Sequence, residues 1–167
     1  MNFSEIKIDC MRQIDAIIVK MRAENTNFKE FVEYSVINEK NSWLIAWILS
    51  KYTEKYPNSL DEYVDIFISK LENIKKDGQI RQILIILRYC TLSDTQSSQL
   101  YDYCFALFEN NKIQSSVRYQ AFMFMFDFAK NYPELRQALF LLFDRYKDSM
   151  SKGIAHSMNC RIGPVSK

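Results

Sequence analysis

The sequence predicts an all-α fold in which about four helix pairs stack into a right-handed superhelix. Three observations support this prediction. Apolar residues recur every three or four positions along most of the 167-residue chain, as on a helix with one buried face. Only 3 Gly and 3 Pro occur, too few for the frequent turns of a β-sandwich or barrel. One short motif also recurs at an interval typical of stacked helix pairs.

Nine helices follow from this periodicity. The fifth is apolar almost all round, so we expect it to be buried on most sides. The third ends at Tyr56, because Pro57 disfavours helical geometry in the residue before it. The predicted helices cover residues 4–23, 27–36, 41–56, 58–73, 79–91, 94–109, 113–131 and 134–149, and a short ninth helix follows Lys152.

Short polar residues are expected to cap several of these helices. Their side-chain oxygens can accept hydrogen bonds from the unpaired amides of a first helical turn. Asp77-Gly78 is predicted to form a turn before the fifth helix. The expected caps are Asn27 for the second helix, Asn41 or Ser42 for the third, Ser59 for the fourth, and Ser93 or Asp94 for the sixth.

An internal repeat is the most informative signal. The pair Tyr56-Pro57 recurs as Tyr132-Pro133, 76 residues later. Half of that interval, 38 residues, is the length of one helix–turn–helix repeat. Arg81 and Arg118 lie 37 residues apart, each near the start of an apolar helix, and fit the same period. The interval therefore favours a helical solenoid.

Apolar and aromatic stretches recur with this period at residues 42–49 (SWLIAWIL), 55–57 (KYP), 80–87 (IRQILIIL), 117–121 (VRYQA) and 129–135 (AKNYPEL). Over residues 28–162 the chain resembles small bacterial HEAT-like (armadillo-type) repeat proteins of unassigned function. The resemblance implies the fold and carries over no catalytic residue. That group often has an arginine where this chain has Leu44, so it implies no polar role at that position.

Charge, cysteine content and targeting signals indicate the cellular compartment and the kind of partner to expect. The net charge of +2 is divided into +5 over residues 111–167 and −3 over residues 1–110, which indicates an acidic partner for the C-terminal third or ordinary solvated helix faces. The four cysteines form no CxxC pair, and neither a signal peptide nor a membrane span is predicted. We expect a cytoplasmic protein with no membrane partner and a single domain over 1–167. Residues 1–26 would form a capping helix and 153–167 a partly ordered tail.

Candidate chemistry is sparse. His156 is the only histidine, and no nucleophile motif accompanies it. His156 and Cys160 are four residues apart and could offer two zinc ligands from one helical face, but the sequence has no second pair. Asp61 and Asp65 are better explained as surface charges near a helix N-terminus. We therefore predict no catalytic residue, no metal, no cofactor and no enzymatic activity.

The predicted function is to bind a protein or peptide partner on the concave face of the solenoid. The second helix of each pair usually lines that face. The aromatic residues of 122–128 are expected in a buried central helix and not on an exposed base-stacking surface. The candidate partner-binding residues are Tyr63, Ile66, Lys70, Tyr101, Arg136, Phe140 and Lys147.

The alternative is a nucleic-acid-binding protein related in architecture to HEAT-like DNA glycosylases that excise alkylated bases. Such enzymes need a strongly positive groove and an acidic residue beside aromatic side chains. Trp43 and Trp47 are N-terminal and predicted to belong to the repeat core, so they do not supply that arrangement. A helical-bundle lyase is a third class, but residues 149–153 (SMSKG) are a poor match to its mobile signature loop.

Overall fold

The computed structural model describes residues 11–24 and 26–162, and this part of the chain contains nine α-helices and no strand. Short 3-10 turns flank α4 and follow α7 and α8. No helix in the described part is long and apolar enough to cross a membrane. The helices are α1 (Met11–Ala23), α2 (Lys29–Ser35), α3 (Ser42–Lys55), α4 (Val64–Lys70), α5 (Asp77–Arg88), α6 (Asp94–Glu109), α7 (Ser115–Phe128), α8 (Pro133–Tyr146) and α9 (Lys152–Ile162).

The helices are arranged in two compact units, Met1–Gln96 and Ser97–Lys167. In the first unit α3 packs against α1, α2 and α5, and α4 packs against α2 and α5. In the second unit α7 packs against α8 and α9. Contacts between a helix and the helix two positions along the chain are the stacking pattern of a solenoid. The all-α repeat architecture is confirmed, and the assignment of residues 1–167 to one domain stays a prediction.

The repeat period is visible in the helix starts. The helices α3, α5, α7 and α9 begin at residues 42, 77, 115 and 152, which are 35, 38 and 37 residues apart. Hydrogen bonds join equivalent loops at nearly the same interval. The Lys75 amide donates to Asn38 Oδ1 at 3.0 Å, and the Ser151 amide donates to Ser115 Oγ at 3.2 Å. The predicted period of 38 residues therefore agrees with the observed spacing.

The Tyr-Pro motif occupies equivalent turns. Tyr56 has φ −130° and ψ 79°, and Tyr132 has φ −131° and ψ 89°, so both have nearly the same non-helical geometry, as expected for a residue before proline. The helices before them, however, begin 73 and not 76 residues apart. The 3-10 turn Ala129–Asn131 adds the difference. The 76-residue alignment is therefore correct at the turn and shifted by three residues at the helix start.

This shift explains one wrong prediction, and a second arises because α5 and α7 begin 38 and not 37 residues apart. Trp43 is 44% exposed and Trp47 half-buried, so they form a surface stripe of α3 with stacked rings, and not part of the repeat core. Arg81 is not the equivalent of Arg118. The Ile80 and Arg118 amides each donate to the carbonyl of the residue just before their helix, Lys76 and Gln114, so Ile80 in α5 has the position that Arg118 has in α7.

Helix ends follow the capping predictions in part. Asn27 Oδ1 accepts from the Lys29 amide at 3.0 Å. Ser93 and Gln96 form a reciprocal capping box, because each side-chain oxygen accepts from the other residue's amide. Ser59 as a cap was wrong: its hydroxyl oxygen is buried with no hydrogen-bond partner.

Two boundaries also differ from the prediction. The expected helix over 58–73 is divided into the 3-10 turn Asp61–Tyr63, α4 and the 3-10 turn Leu71–Asn73. Asp77 and Gly78 are the first residues of α5 and not a turn. The expected ninth helix is present as α9. Residues 1–10 of the predicted capping helix and residues 163–167 of the predicted tail lie outside the described residues.

A buried amide joins two helices of the first unit. Gln79 in α5 is fully buried, and its Nε2 donates to the carbonyl oxygens of Ser35 at 2.6 Å and Ile37 at 2.9 Å. The Ser35 carbonyl belongs to the last turn of α2 and the Ile37 carbonyl lies just beyond it, where carbonyls lack partners within the helix. Gln79 therefore caps α2 from a different helix and fixes the loop that leads into α3.

Candidate functional site

The α8 helix has more apolar side chains than its buried face can hold. Residues 138–143 (ALFLLF) are all apolar. Leu139, Leu142 and Phe143 are buried, whereas Phe140 is half-buried and Leu141 is 69% exposed. A run of six apolar residues must extend round a helix beyond one face, since successive residues lie about 100° apart. This run therefore places apolar side chains at the surface of the second unit.

Beside these side chains lies an open groove of about 740 Å³ between α8 and α9. Buried Phe143, Met150 and Ile162 contribute to it, and charged and polar residues of both helices and of the turn between them surround these apolar side chains. The volume is in the range of sites that bind small molecules or short peptide segments. The lining residues are Gln137, Phe140, Leu141, Phe143, Asp144, Lys147, Asp148, Met150, Lys152, Ala155, His156, Asn159 and Ile162.

Arg136 connects the groove to the core aromatics. Its guanidinium carbon lies 5.9 Å from the centre of the Phe140 ring and 5.4 Å from that of the Phe126 ring. Arg136 is exposed, so each cation–π contact contributes about 0.5–1 kcal/mol. The two contacts hold the arginine over the aromatic surface one turn before Phe140.

Lys147 and Asp144 form an ion pair at the groove. Both side chains are largely solvent-exposed, so the pair adds little to stability. The hydrogen bond to Asp144, together with its charge, raises the pKa of Lys147. Because Asp144 balances the charge of Lys147, this part of the groove does not present an unpaired cation.

Arg118 in α7 fixes the turn between α8 and α9. It is 1% exposed, and its Nε donates to the Phe108 carbonyl at 2.7 Å. Its Nη1 donates to Ser149 Oγ at 3.0 Å, while Nη2 is buried with no partner. Burial lowers the pKa of Arg118. Since Ser149 ends the 3-10 turn that carries Lys147, the buried arginine holds one end of the groove in place.

The rings of Phe108 and Tyr146 surround the Arg118 guanidinium. Its carbon lies 5.4 Å from the Phe108 ring centre and 5.8 Å from that of Tyr146. The Tyr146 hydroxyl donates to Glu109 Oε1 at 3.1 Å. Arg118 therefore has two aromatic faces, three backbone or hydroxyl acceptors, and beside it a tyrosine that is bonded to a carboxylate.

Three of the seven predicted binding residues lie at or beside the groove. Phe140 and Lys147 line it, and Arg136 stacks on Phe140. Tyr101 is instead half-buried in α6, where its ring packs 5.4 Å from that of Phe128, and burial raises its pKa. These residues all belong to the second unit.

The other three predicted residues belong to the first unit. Tyr63 lines a separate hollow of about 490 Å³ with Phe28 and Lys29, and burial raises the pKa of its hydroxyl. Ile66 is half-buried and Lys70 is exposed, both in α4, and neither lines that hollow. A shared role of these residues with the groove stays a prediction.

His156 and Cys160 face each other on the exposed side of α9. Nε2 of His156 lies 3.5 Å from Sγ of Cys160, and both residues are exposed. His156 also lines the groove. In the described part of the chain, no group of three or more His, Cys, Asp or Glu side chains could hold a metal ion. The pair therefore stands alone as a two-atom donor set.

Leu141, Met150 and Ile162 line the groove but were not among the predicted binding residues. The unbroken run of 138–143 was a usable signal, because its length exceeds one helical face. No sequence pattern marked Met150 and Ile162 as residues of a binding groove. They line the groove only because the turn after α8 returns the chain beside that helix.

Three of the four phenylalanines of residues 122–128 are buried as predicted, and Phe128 is half-buried. Phe122, Phe124 and Phe126 are buried, with the Phe122 ring 5.2 Å from that of Phe108 and 5.8 Å from that of Phe143. Burial excludes these three rings from a base-stacking surface. Their role is to pack the core of the second unit.

Comparison with known families agrees with this architecture. A family model described as a HEAT repeat domain matches residues 7–162, nearly the whole chain. No curated protein and no solved structure gives a significant match. The matched range includes every helix described above and most of both compact units. The chain therefore belongs to the HEAT repeat domain family.

Proposed function

We propose that this protein is a non-enzymatic binding module whose second unit holds a peptide segment of a partner protein in the groove between α8 and α9. The observation that carries the proposal is the groove itself. Leu141, 69% exposed, lies beside half-buried Phe140 on a helix that forms one wall. Helical solenoids commonly bind partners on surfaces that their stacked helices create.

The composition of the groove favours a segment with one apolar face. Phe140, Phe143 and Met150 offer apolar surface to side chains that a short helix or extended peptide would insert. Around them, the ion pair of Asp144 and Lys147 is nearly neutral. A partner with little net charge and two or three large apolar side chains fits these features best.

The nucleic-acid alternative has weaker support. Of the nine basic residues in 111–167, Arg118 is buried, Lys130 pairs with Asp127, and Lys147 pairs with Asp144. These arrangements reduce the positive charge that a phosphate backbone could meet. Duplex binding would also require strong dependence on salt concentration.

A peptide-selection experiment tests the proposal. Random peptides displayed on phage would be selected against the full chain, and the affinity of enriched peptides measured by fluorescence anisotropy. We expect Leu141→Asp to weaken binding by roughly tenfold or more, which corresponds to about 1.4 kcal/mol for one buried apolar contact. Its exposure means that the substitution should leave the fold intact.

Val19→Asp is the matched control. Val19 is 55% exposed on α1, in the other unit, so the variant adds the same charge to an exposed apolar helix position. We expect it to bind the selected peptides as the unmodified chain does. Equal affinity of the Leu141→Asp and Val19→Asp variants would show that the groove is not the peptide-binding site. Salt-dependent binding of a DNA duplex without peptide binding would support the alternative function.

A further inference from the structure

We propose that His156 and Cys160 form a two-ligand binding site for Zn²⁺ on the exposed face of α9. The site does not depend on peptide binding in the groove. It uses two side chains of α9, of which His156 lies at the edge of the groove and Cys160 is not among the residues that line it. Their i, i+4 spacing places both on one side of the helix.

The distance between the two donor atoms carries the argument. Zinc binds thiolate sulfur at about 2.3 Å and imidazole nitrogen at about 2.0–2.1 Å, so a tetrahedral ion separates these two donors by roughly 3.5–3.6 Å. The observed distance between Nε2 and Sγ is 3.5 Å. One Zn²⁺ can therefore bind both atoms with little movement of either side chain.

The surroundings leave the remaining coordination positions open. Both side chains are exposed, and the described residues offer no third His, Cys, Asp or Glu ligand at this place. Water or donors from another molecule would fill the two remaining positions of the tetrahedron. Because His156 lines the groove, such an ion would lie at its edge.

Binding has a defined proton balance. The ligands are the neutral imidazole of His156, through the lone pair of Nε2, and the thiolate of Cys160. A protonated thiol must release one proton to solvent when its sulfur binds the metal. No electron transfer is involved, because Zn²⁺ has no redox chemistry in this setting.

Titration of the full chain with Co²⁺ tests the site, in a buffer with a non-chelating reductant. We expect a thiolate-to-cobalt charge-transfer absorption that Zn²⁺ abolishes, since thiolate ligands favour Zn²⁺. Calorimetry of Zn²⁺ binding in buffers of different ionisation enthalpy should show the release of about one proton per ion.

Variants distinguish this pair from other donors. Loss of a hydrogen-bonding group behind a ligand commonly reduces metal affinity 10–100-fold, so loss of a ligand in His156→Ala or Cys160→Ser should reduce it by roughly tenfold or more. Cys90→Ser is the control and should bind as the unmodified chain does. Circular dichroism should show the same helix content in every variant, because both ligands are exposed.

Three outcomes would overturn the proposal: no thiolate band with Co²⁺, a band that survives in Cys160→Ser, or unchanged affinity in His156→Ala. The second outcome would place the sulfur ligand elsewhere in the chain. None of these results bears on peptide affinity, which the Leu141→Asp and Val19→Asp pair measures separately.

Discussion

At the residue scale, Arg118 shows how a side chain of unfavourable type can be accommodated in a core. Arg118 is the fourth residue of α7, as Ile80 is the fourth residue of α5. Burial of a cation costs free energy unless its donors find acceptors. The Phe108 carbonyl, Ser149 and two aromatic faces supply most of what it needs, and one nitrogen remains without a partner.

We expect Arg118→Ala to lower the free energy of unfolding by about 3 kcal/mol, because it removes the buried donors and leaves a cavity. Urea titration followed by circular dichroism measures the change. The control is Arg81→Ala, which alters a half-exposed arginine and should cost less than about 1 kcal/mol. Equal costs for the two variants would mean that the buried network of Arg118 does not stabilise the protein.

Cys90 gives a second test at this scale. Burial, followed by the charge of Asp61 and a hydrogen bond to it, raises the pKa of the Cys90 thiol to about 12. The thiolate is the reactive form. We therefore expect iodoacetamide at about pH 8 to modify exposed Cys160 at least roughly tenfold faster than Cys90.

Peptide mapping by mass spectrometry measures both rates in the same sample. In urea the two cysteines should react at similar rates, because unfolding removes the burial of Cys90. Rapid modification of Cys90 in the folded chain would contradict the explanation that burial and Asp61 keep its thiol protonated. The folded state holds the Cys90 proton more tightly than the unfolded chain, so this group also lowers stability as the pH rises from about 9 towards about 12.

At the scale of single helices, local signals were read correctly where they act within a few residues. The Ser93 cap, one of the two predicted for α6, and the non-helical geometry of Tyr56 and Tyr132 depend on nearby residues, so the sequence contains all of their causes. Ser59 failed as a cap, because the chain after it forms a 3-10 turn and not an α-helix. The cap of α2 was missed because Gln79 reaches it from 44 residues away.

This long-range cap should be measurable. We expect Gln79→Ala to lower the free energy of unfolding by about 2 kcal/mol. The substitution removes the buried Nε2 that donates to two backbone carbonyls. Gln137→Ala removes an exposed glutamine from α8 and should change it by less than about 0.5 kcal/mol. Urea titration compares the two, and a cost for Gln79→Ala no larger than that of Gln137→Ala would show that the cap is dispensable.

At the scale of the whole molecule, the sequence predicts the repeat fold, but it predicts only in part which residues of each helix are buried and which are exposed. Helical periodicity and the Tyr-Pro interval predict the all-α repeat fold, because both reflect local geometry. The Tyr-Pro interval of 76 residues is three longer than the distance between the starts of α3 and α7. The prediction therefore wrongly placed Trp43 and Trp47 in the core. The groove depends on the path of the chain after α8, and a single sequence contains no local signal for that path.

The most direct test of the central claim is hydrogen–deuterium exchange of the full chain with and without a selected peptide. If the groove between α8 and α9 binds the peptide, amides within residues 137–159 should exchange more slowly in the complex, and those of α1 should be unchanged. Slower exchange confined to residues 26–29 and 61–63, around the hollow of Tyr63, would contradict the assignment of function to the groove.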